Sequence, residues 1–359
     1  MKNRLVGTLW VSTALLVICL SLMSPVWAPI PGWTTAAPIP TKREGYGAAE
    51  VGGIFYYIAG YIPGDSTINE AYDPSTDTWT TKASLPDTAR AETVAVSDGS
   101  YVYLIGGRTV SLVGKDLWRY NPATDSWTSL ASMPTARATE HMAAYYNGKI
   151  YVVGGRTASA PGSGALATVE IYDIASNTWS AGTAMPAARS DAVAIEDCAK
   201  IYVFGGCDTG GVVKDTTFIY DIAGDSWSTG ASMPQPRANP AGGKCPDGIH
   251  VIGGWVGTHA LQTSHYVYDP TTDSWSTSIA IPTATAQAQG VSYACQIFVV
   301  SGGIGGSVAA GTLNQVFQCV GFGVIPEYPI GTIIGAIAMF ATLLSFGVVR
   351  KRKWINGNL

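Results

Sequence analysis

A cadence of aromatic residues constrains this chain more than anything else in it. A Tyr followed seven positions later by a Trp recurs at Tyr72/Trp79, Tyr120/Trp127, Tyr172/Trp179, Tyr220/Trp227 and Tyr268/Trp275. Ahead of each Tyr, a short apolar run closes on two small residues: Ala59-Gly60, Gly106-Gly107, Gly154-Gly155, Gly205-Gly206 and Gly253-Gly254. A sixth run ends at Gly302-Gly303 and has Phe317 at the Tyr position, but Val324 where the Trp would fall. Turn sequences such as Asp269-Pro270-Thr271-Thr272-Asp273 join Tyr to Trp, and each copy then reaches a Pro and, in most cases, an Arg. Self-similarity at this period marks a repeat architecture, because one unit cannot bury its own faces and neighbours must supply the core. Runs such as 150–153 and 169–172, bounded by turn residues, read as short strands.

Composition agrees with an all-β chain. There are 42 Gly, 20 Pro, 11 Trp and 18 Tyr in 359 residues, so turn formers and β-favouring aromatics dominate. With 47% hydrophobic residues the chain can bury a core, and disorder is excluded. All 25 acidic residues lie between a basic N-terminus (Lys2, Arg4) and a basic C-terminal cluster (Arg350, Lys351, Arg352, Lys353). The body is therefore net negative, and nucleic acid is excluded as a partner because its recognition needs a basic stripe.

The double Gly, the Tyr and the Trp at fixed spacing resemble Kelch repeats over residues 33–320, about 48 residues per copy. The resemblance implies a six-bladed β-propeller, each blade a four-stranded sheet around a central channel. The sixth copy lacks its Trp-bearing strand, but Trp33-Thr34-Thr35-Ala36-Ala37-Pro38-Ile39-Pro40 parallels Trp79 to Pro86. The segment from Trp33 is therefore expected to be the outermost strand of the last blade. That gives six Trp (Trp33, Trp79, Trp127, Trp179, Trp227, Trp275) for six blades and leaves no open edge.

The two ends read as membrane-directed segments flanking a 29–320 propeller. Residues 1–28 have the charged start and apolar stretch of a secretory signal, with an uncleaved anchor as the alternative. Residues 330–349 form an uncharged run long enough to cross ~30 Å of hydrocarbon. The basic tail 350–359 follows and, by the positive-inside rule, is cytoplasmic. The linker 321–329 contains Pro326-Glu327-Tyr328-Pro329. A short Pro-Glu-aromatic motif, an apolar helix and a basic cluster resemble the archaeal surface-protein sorting signals that begin Pro-Glu-Phe. That resemblance implies a sorting enzyme as a partner, with a permanent single-pass anchor as the other reading.

With strands lettered a to d from channel to rim, the d–a and b–c connections share one face and the a–b and c–d turns the other. The chain enters and leaves on the turn face, so the loop face is expected to point away from the membrane and bind ligand. Arg43, Arg90, Arg137, Arg189 and Arg237 follow the Pro of successive d–a connections, with Thr285 in the sixth. They could converge to bind carboxylates or sulfates, with Arg108 and Arg156 directly after double Gly as further candidates. Glu44, Glu92, Glu140 and Asp191 lie close enough in sequence to neutralise them, and an Arg at this place often serves structure in Kelch repeats.

His141, His250, His259 and His265 show no metal-ligand spacing, and no cofactor is expected. Repeated turn Asp residues such as Asp73, Asp221 and Asp269 read as Asx turns. Cys295 and Cys319, at the ends of adjacent strands b and c, are the expected disulfide. The functional expectation is a cell-surface binding or adhesion module with an extracellular protein or acidic glycan as partner. The alternatives are a carbohydrate-active enzyme such as a sugar mutarotase, or a structural surface-layer component.

Overall fold

Each copy of the cadence becomes one four-stranded antiparallel sheet in the computed structural model, which describes residues 31–319 apart from 63, 110–111, 159 and 304–310. Blade 1 comprises Gly47–Val51, Ile54–Ile58, Asn69–Asp73 and Thr78–Lys82 as strands a to d. Blade 2 is Val94–Ser97, Val102–Ile105, Leu117–Asn121 and Ser126–Leu130; blade 3 is Ala143–Tyr146, Lys149–Val153, Val169–Asp173 and Thr178–Gly182. Blade 4 is Val193–Asp197, Lys200–Phe204, Thr217–Asp221 and Ser226–Gly230; blade 5 is Ala241–Cys245, Gly248–Ile252, His265–Asp269 and Ser274–Thr277. Blade 6 takes Val291–Tyr293, Gln296–Val300 and Asn314–Gln318 from the end of the ring and Gly32–Ala36 from its beginning. Trp33 pairs with Phe317 across that junction, so the leading segment seals the circle as its sequence indicates. Strands a of successive blades meet in a closed ring of six around the axis.

Burial follows the radius. Strands b are buried almost throughout, whereas strands d alternate between exposed and half-buried positions. The cadence Tyr residues are buried, and each packs at a tilt against the Trp paired with it, as in Tyr120–Trp127 with ring centroids 5.0 Å apart and planes 46° apart. The six Trp sit half-buried at the rim rather than deep in the wedges. Each Trp Nε1–H donates 2.7–2.8 Å to a carbonyl of the preceding blade: Trp33 to Ile279, Trp79 to Ala37, Trp127 to Ala83, Trp179 to Ala131, Trp227 to Thr183 and Trp275 to Ala231.

The double Gly is explained by close approach. Gly107 has φ +95, and a Cβ there would lie 2.4 Å from the Thr93 side chain and 2.7 Å from the Ala91 carbonyl. A side chain would push the b–c connection off the d–a connection beside it.

Cys319 is bonded to Cys245, the last residue of strand a in blade 5, and Cys295 is free. This corrects the expected Cys295–Cys319 pairing. Ala294 and Cys295, with φ +48 and +60, form a two-residue hairpin turn, so Cys295 does not begin strand b. The Cys295 carbonyl accepts the Cys319 N–H at 2.9 Å, but the two sulfurs do not meet.

The signal segment 1–28, the Pro326-Glu327-Tyr328-Pro329 motif, the 330–349 run and the basic tail lie outside the described residues. Among the described residues no helix is long and apolar enough to cross a membrane.

Candidate functional site

The loop face is built from two equivalent positions per blade. The residue after each double Gly bridges the residue after each d–a Arg: Glu44 with Tyr61, Ala91 with Arg108, Ala138 with Arg156, Ser190 with Cys207 and Ala238 with Trp255. One step further, a ring of turn residues leads into strands a. Its backbone links run Gly45 N–H to Gln287 O (2.8 Å), Gln287 N–H to Asn239 O (3.1 Å) and Asn239 N–H to Asp191 O (2.6 Å). Glu92 and Asp191 occupy this position in blades 2 and 4, Thr139 and Glu140 share it in blade 3, where both N–H groups donate to the Glu92 carbonyl, and all three acids have positive φ.

Those three carboxylates enclose Arg156, which is 1% exposed. Its guanidinium lies 2.6 Å from each of Glu92 Oε2, Glu140 Oε2 and Asp191 Oδ1, and its Nε–H donates to the Ala158 carbonyl at 3.0 Å. Burial pushes the Glu140 carboxyl well above the usual carboxylate range, against the pull of Arg156 and with the push of Asp191 and Glu92. Asp191 is held below its ordinary value despite its burial, by Arg156 and by hydrogen bonds from Glu140 and Ser190. Arg108 continues the network at 2.8 Å from Glu92 and 3.6 Å from Asp65, and its guanidinium stands over the Tyr61 ring at 5.8 Å.

Contacts between inner strands close in on the axis as well. Gln289, just before strand a of blade 6, joins blades 1 and 2: its Oε1 accepts N–H groups of Ala48 (2.8 Å) and Ala95 (3.2 Å), and its Nε2 donates to Ala95 O at 2.8 Å. Neighbouring inner strands approach so closely that a Cβ on Gly290 would lie 2.3 Å from the Gly242 carbonyl. A cavity of about 200 Å³ remains along the inner strands of blades 3 to 6, lined by His141, Tyr145, Lys244 and Gln289. Burial lowers the His141 ring to about 4, so it is neutral at ordinary pH.

The five d–a arginines do not converge on the axis. Arg43 holds Glu70 and the carbonyls of Ala59 and Ile68; Arg137 holds Glu170 (2.8 Å) and Gly154 O (2.7 Å). Arg90 binds Asp87 and Asp116. Arg189 donates to Thr216 Oγ1 at 3.0 Å over the Phe218 ring, and Arg237 to Ser264 and to the Pro236 carbonyl. All five are buried, and each pins its own blade's b–c connection. Arg43 and Arg137 take their acids, Glu70 and Glu170, from strands c, whereas Arg90 pairs with Asp87 of its own d–a connection as well as with Asp116 beside strand c. Glu92, Glu140 and Asp191 serve Arg156 instead.

Sequence spacing also missed a donor group on the turn face. Cys245, Asp247 and His250 bring one ligand atom each within 4.8 Å of one another. The Cys-x-Asp-x-x-His string that encodes it spans a hairpin, and only the pairing of strands a and b in blade 5 draws it together.

Six radial four-stranded sheets, double-Gly corners and one rim Trp per blade define a Kelch-type β-propeller. Residues 55–312 match the model of the Attractin/LZTR1 beta-propeller, and the chain belongs to that family. It is similar to Kelch-like protein 35 of Homo sapiens, 32% identical over 146 residues, which are 41% of this chain and 24% of that protein. Kelch-like protein terF of Aspergillus terreus is 38% identical over 84 residues, 21% of this chain and 18% of that protein. The matched stretches thus span less than a quarter of those proteins' own length. The solved structure of YjhT shares the fold with a TM-score of 0.69 at 18% identity, covering 80% of this chain and 98% of that one.

Proposed function

We propose that the chain is an exported propeller held at the cell surface, whose loop face binds a protein partner. One observation carries the binding reading. Leu112 and Val212, on the b–c connections of blades 2 and 4, are 74% and 56% exposed, which makes them the most exposed large apolar side chains among the described residues. Val212 also borders an apolar notch of about 270 Å³ with Pro236 and Val256. Each of the two is a single side chain rather than a patch, and it is their place on variable loops of a rigid ring that suits a protein interface. An acidic glycan is less well served, because all seven candidate arginines already hold partners inside the propeller. The mouth carboxylates likewise serve Arg156, which favours binding over sugar chemistry.

Surface attachment rests on the sequence of 1–28 and 321–359 and on one geometric support. Gly32 pairs with Gln318, so the chain enters and leaves the ring on the turn face. A tether there directs the d–a and b–c loops away from the membrane. Labelled protein on protein and glycan arrays tests the binding reading: protein hits that fall about tenfold or more in a Leu112→Ser/Val212→Ser variant support it. Hits indifferent to that variant, or confined to acidic glycans, overturn it. Mass spectrometry of C-terminal peptides from cells distinguishes an intact anchor, which keeps residues 350–359, from a sorted product, which lacks them.

A further inference from the structure

The donor group between blades 5 and 6 takes no part in the binding reading. Cys245 closes strand a of blade 5, Asp247 lies in the turn that follows and His250 sits on strand b. Cys319, bonded to Cys245, brings a second sulfur to the same place.

Two imidazoles stand in series beside that place. His265 Nδ1 lies 3.1 Å from the Ile279 carbonyl, and a carbonyl only accepts, so Nδ1 carries the hydrogen. The His265 ring packs against Trp33 and Phe317, an apolar setting that keeps it neutral and leaves Nε2 an acceptor. His250 Nδ1, 2.7 Å away, therefore donates to it. That leaves His250 Nε2 facing Asp247 Oδ1 at 3.0 Å. An Nε2–H donated to Asp247 satisfies this contact, and without that hydrogen the imidazole nitrogen, the carboxylate and the Cys245 sulfur, all within 4.8 Å of one another, face one cation-sized place. Metal-ligating histidines characteristically donate their other ring N–H to a fixed partner, and His265 supplies that partner here.

We propose that the reduced protein binds one thiophilic divalent cation, zinc, through Cys245, Cys319, His250 and Asp247, and that the disulfide is the metal-free closure of the same seam. A dithiol delivers two electrons and two protons to the disulfide, giving two thiols while the dithiol itself closes to a disulfide. Zinc then displaces the two thiol protons and takes the place between His250 Nε2 and Asp247. Two sulfurs, one imidazole and one carboxylate match the tetrahedral preference of zinc, whereas calcium and magnesium select oxygen-only shells.

The test uses the full chain, reduced with a phosphine, freed of reductant and titrated anaerobically with Co²⁺ and then Zn²⁺. The expected result is about one Co²⁺ per chain with the visible bands of a tetrahedral thiolate site, displaced by Zn²⁺ and missing from the oxidised protein. His250→Gln and Cys319→Ser are expected to weaken binding at least about tenfold, the loss typical even of an outer-shell partner. Asp247, 29% exposed, gives a second variant that spares the fold: Asp247→Asn weakens binding in the same direction. Cys198→Ser, at an exposed cysteine, leaves the spectrum unchanged. A reduced wild type without thiolate–cobalt bands, or bands that persist in Cys245→Ser or vanish in Cys198→Ser, overturns the assignment.

Discussion

The seam between blades 4 and 5 and the seam between blades 5 and 6 are fastened by different means. At the first, Asp273 has φ +49 in the c–d turn, and its Oδ1 accepts both the Tyr268 hydroxyl and the Ala231 N–H of the preceding blade, each at 2.7 Å. Asp77, Asp125, Asn177 and Asp225 repeat this clasp at four other seams. Blade 6 has no c–d turn, because its fourth strand comes from the other end of the propeller, and Phe317 has no hydroxyl to offer. The sixth seam keeps the Trp33–Ile279 hydrogen bond and replaces the clasp with a His265, Phe317 and Trp33 ring cluster and the Cys245–Cys319 bond. A ring closed by two remote segments gives up a local polar fastening and gains apolar packing and a covalent link.

Removing the closing strand tests this contrast most severely. Deleting residues 31–37 exposes the edge of Asn314–Gln318, and we expect aggregation or a large fall in melting temperature. Unchanged melting would show that the sixth seam does not close the ring. Cys319→Ser is expected to cost roughly 2–4 kcal/mol in denaturant unfolding, since the bond spans 74 residues. Hydrogen exchange should then show Gly32–Ala36 opening before any clasped strand d, and uniform opening would contradict the distinction.

Acid should separate the two kinds of seam. Burial and the neighbouring His250 push the His265 ring down to about 3. The unfolded chain therefore takes up that proton first, and stability is lost as pH falls below the ordinary histidine value. With the disulfide intact, about 2 kcal/mol should be gone by pH 5, measured as the difference from a His265→Asn variant. The clasp residue Asp273 is shifted down by the Ala231 N–H and the Tyr268 hydroxyl, so its contribution holds until pH falls through the carboxylate range. A wild type and His265→Asn with parallel pH profiles would remove the distinction. The smallest effect is at a single clasp: Asp273→Ala should cost about 1 kcal/mol, and Asp273→Asn almost nothing, because Asn177 already does the same work in blade 3. Thermal melting of the two variants checks this.

Blade number and closure were legible because the cadence repeats within each copy, so spacing alone places Tyr72 against Trp79 and Trp33 against Phe317. Contacts between blades have no such period. Cys319 finds Cys245 across the seam, and spacing within blade 6 pointed to Cys295 only because adjacent strands share a sheet. The arginines show the same limit. Five equivalent positions suggested one converging site, but each guanidinium turns into its own blade, and the axial cation is Arg156, which only its double-Gly position marked. The donor group at Cys245, Asp247 and His250 was hidden because only the pairing of strands a and b in blade 5 draws it together.

The disulfide also sets how the ring carries mechanical load. Cys319 is the last described residue of the sixth blade, and its covalent partner belongs to the fifth. Tension applied from the C-terminal side reaches blade 5 through sulfur before it can peel Asn314–Gln318 away from the strands on either side. Pulling therefore stretches a bridge between two sheets instead of unzipping one, and reduction of a single bond would turn a firm attachment into a frangible one.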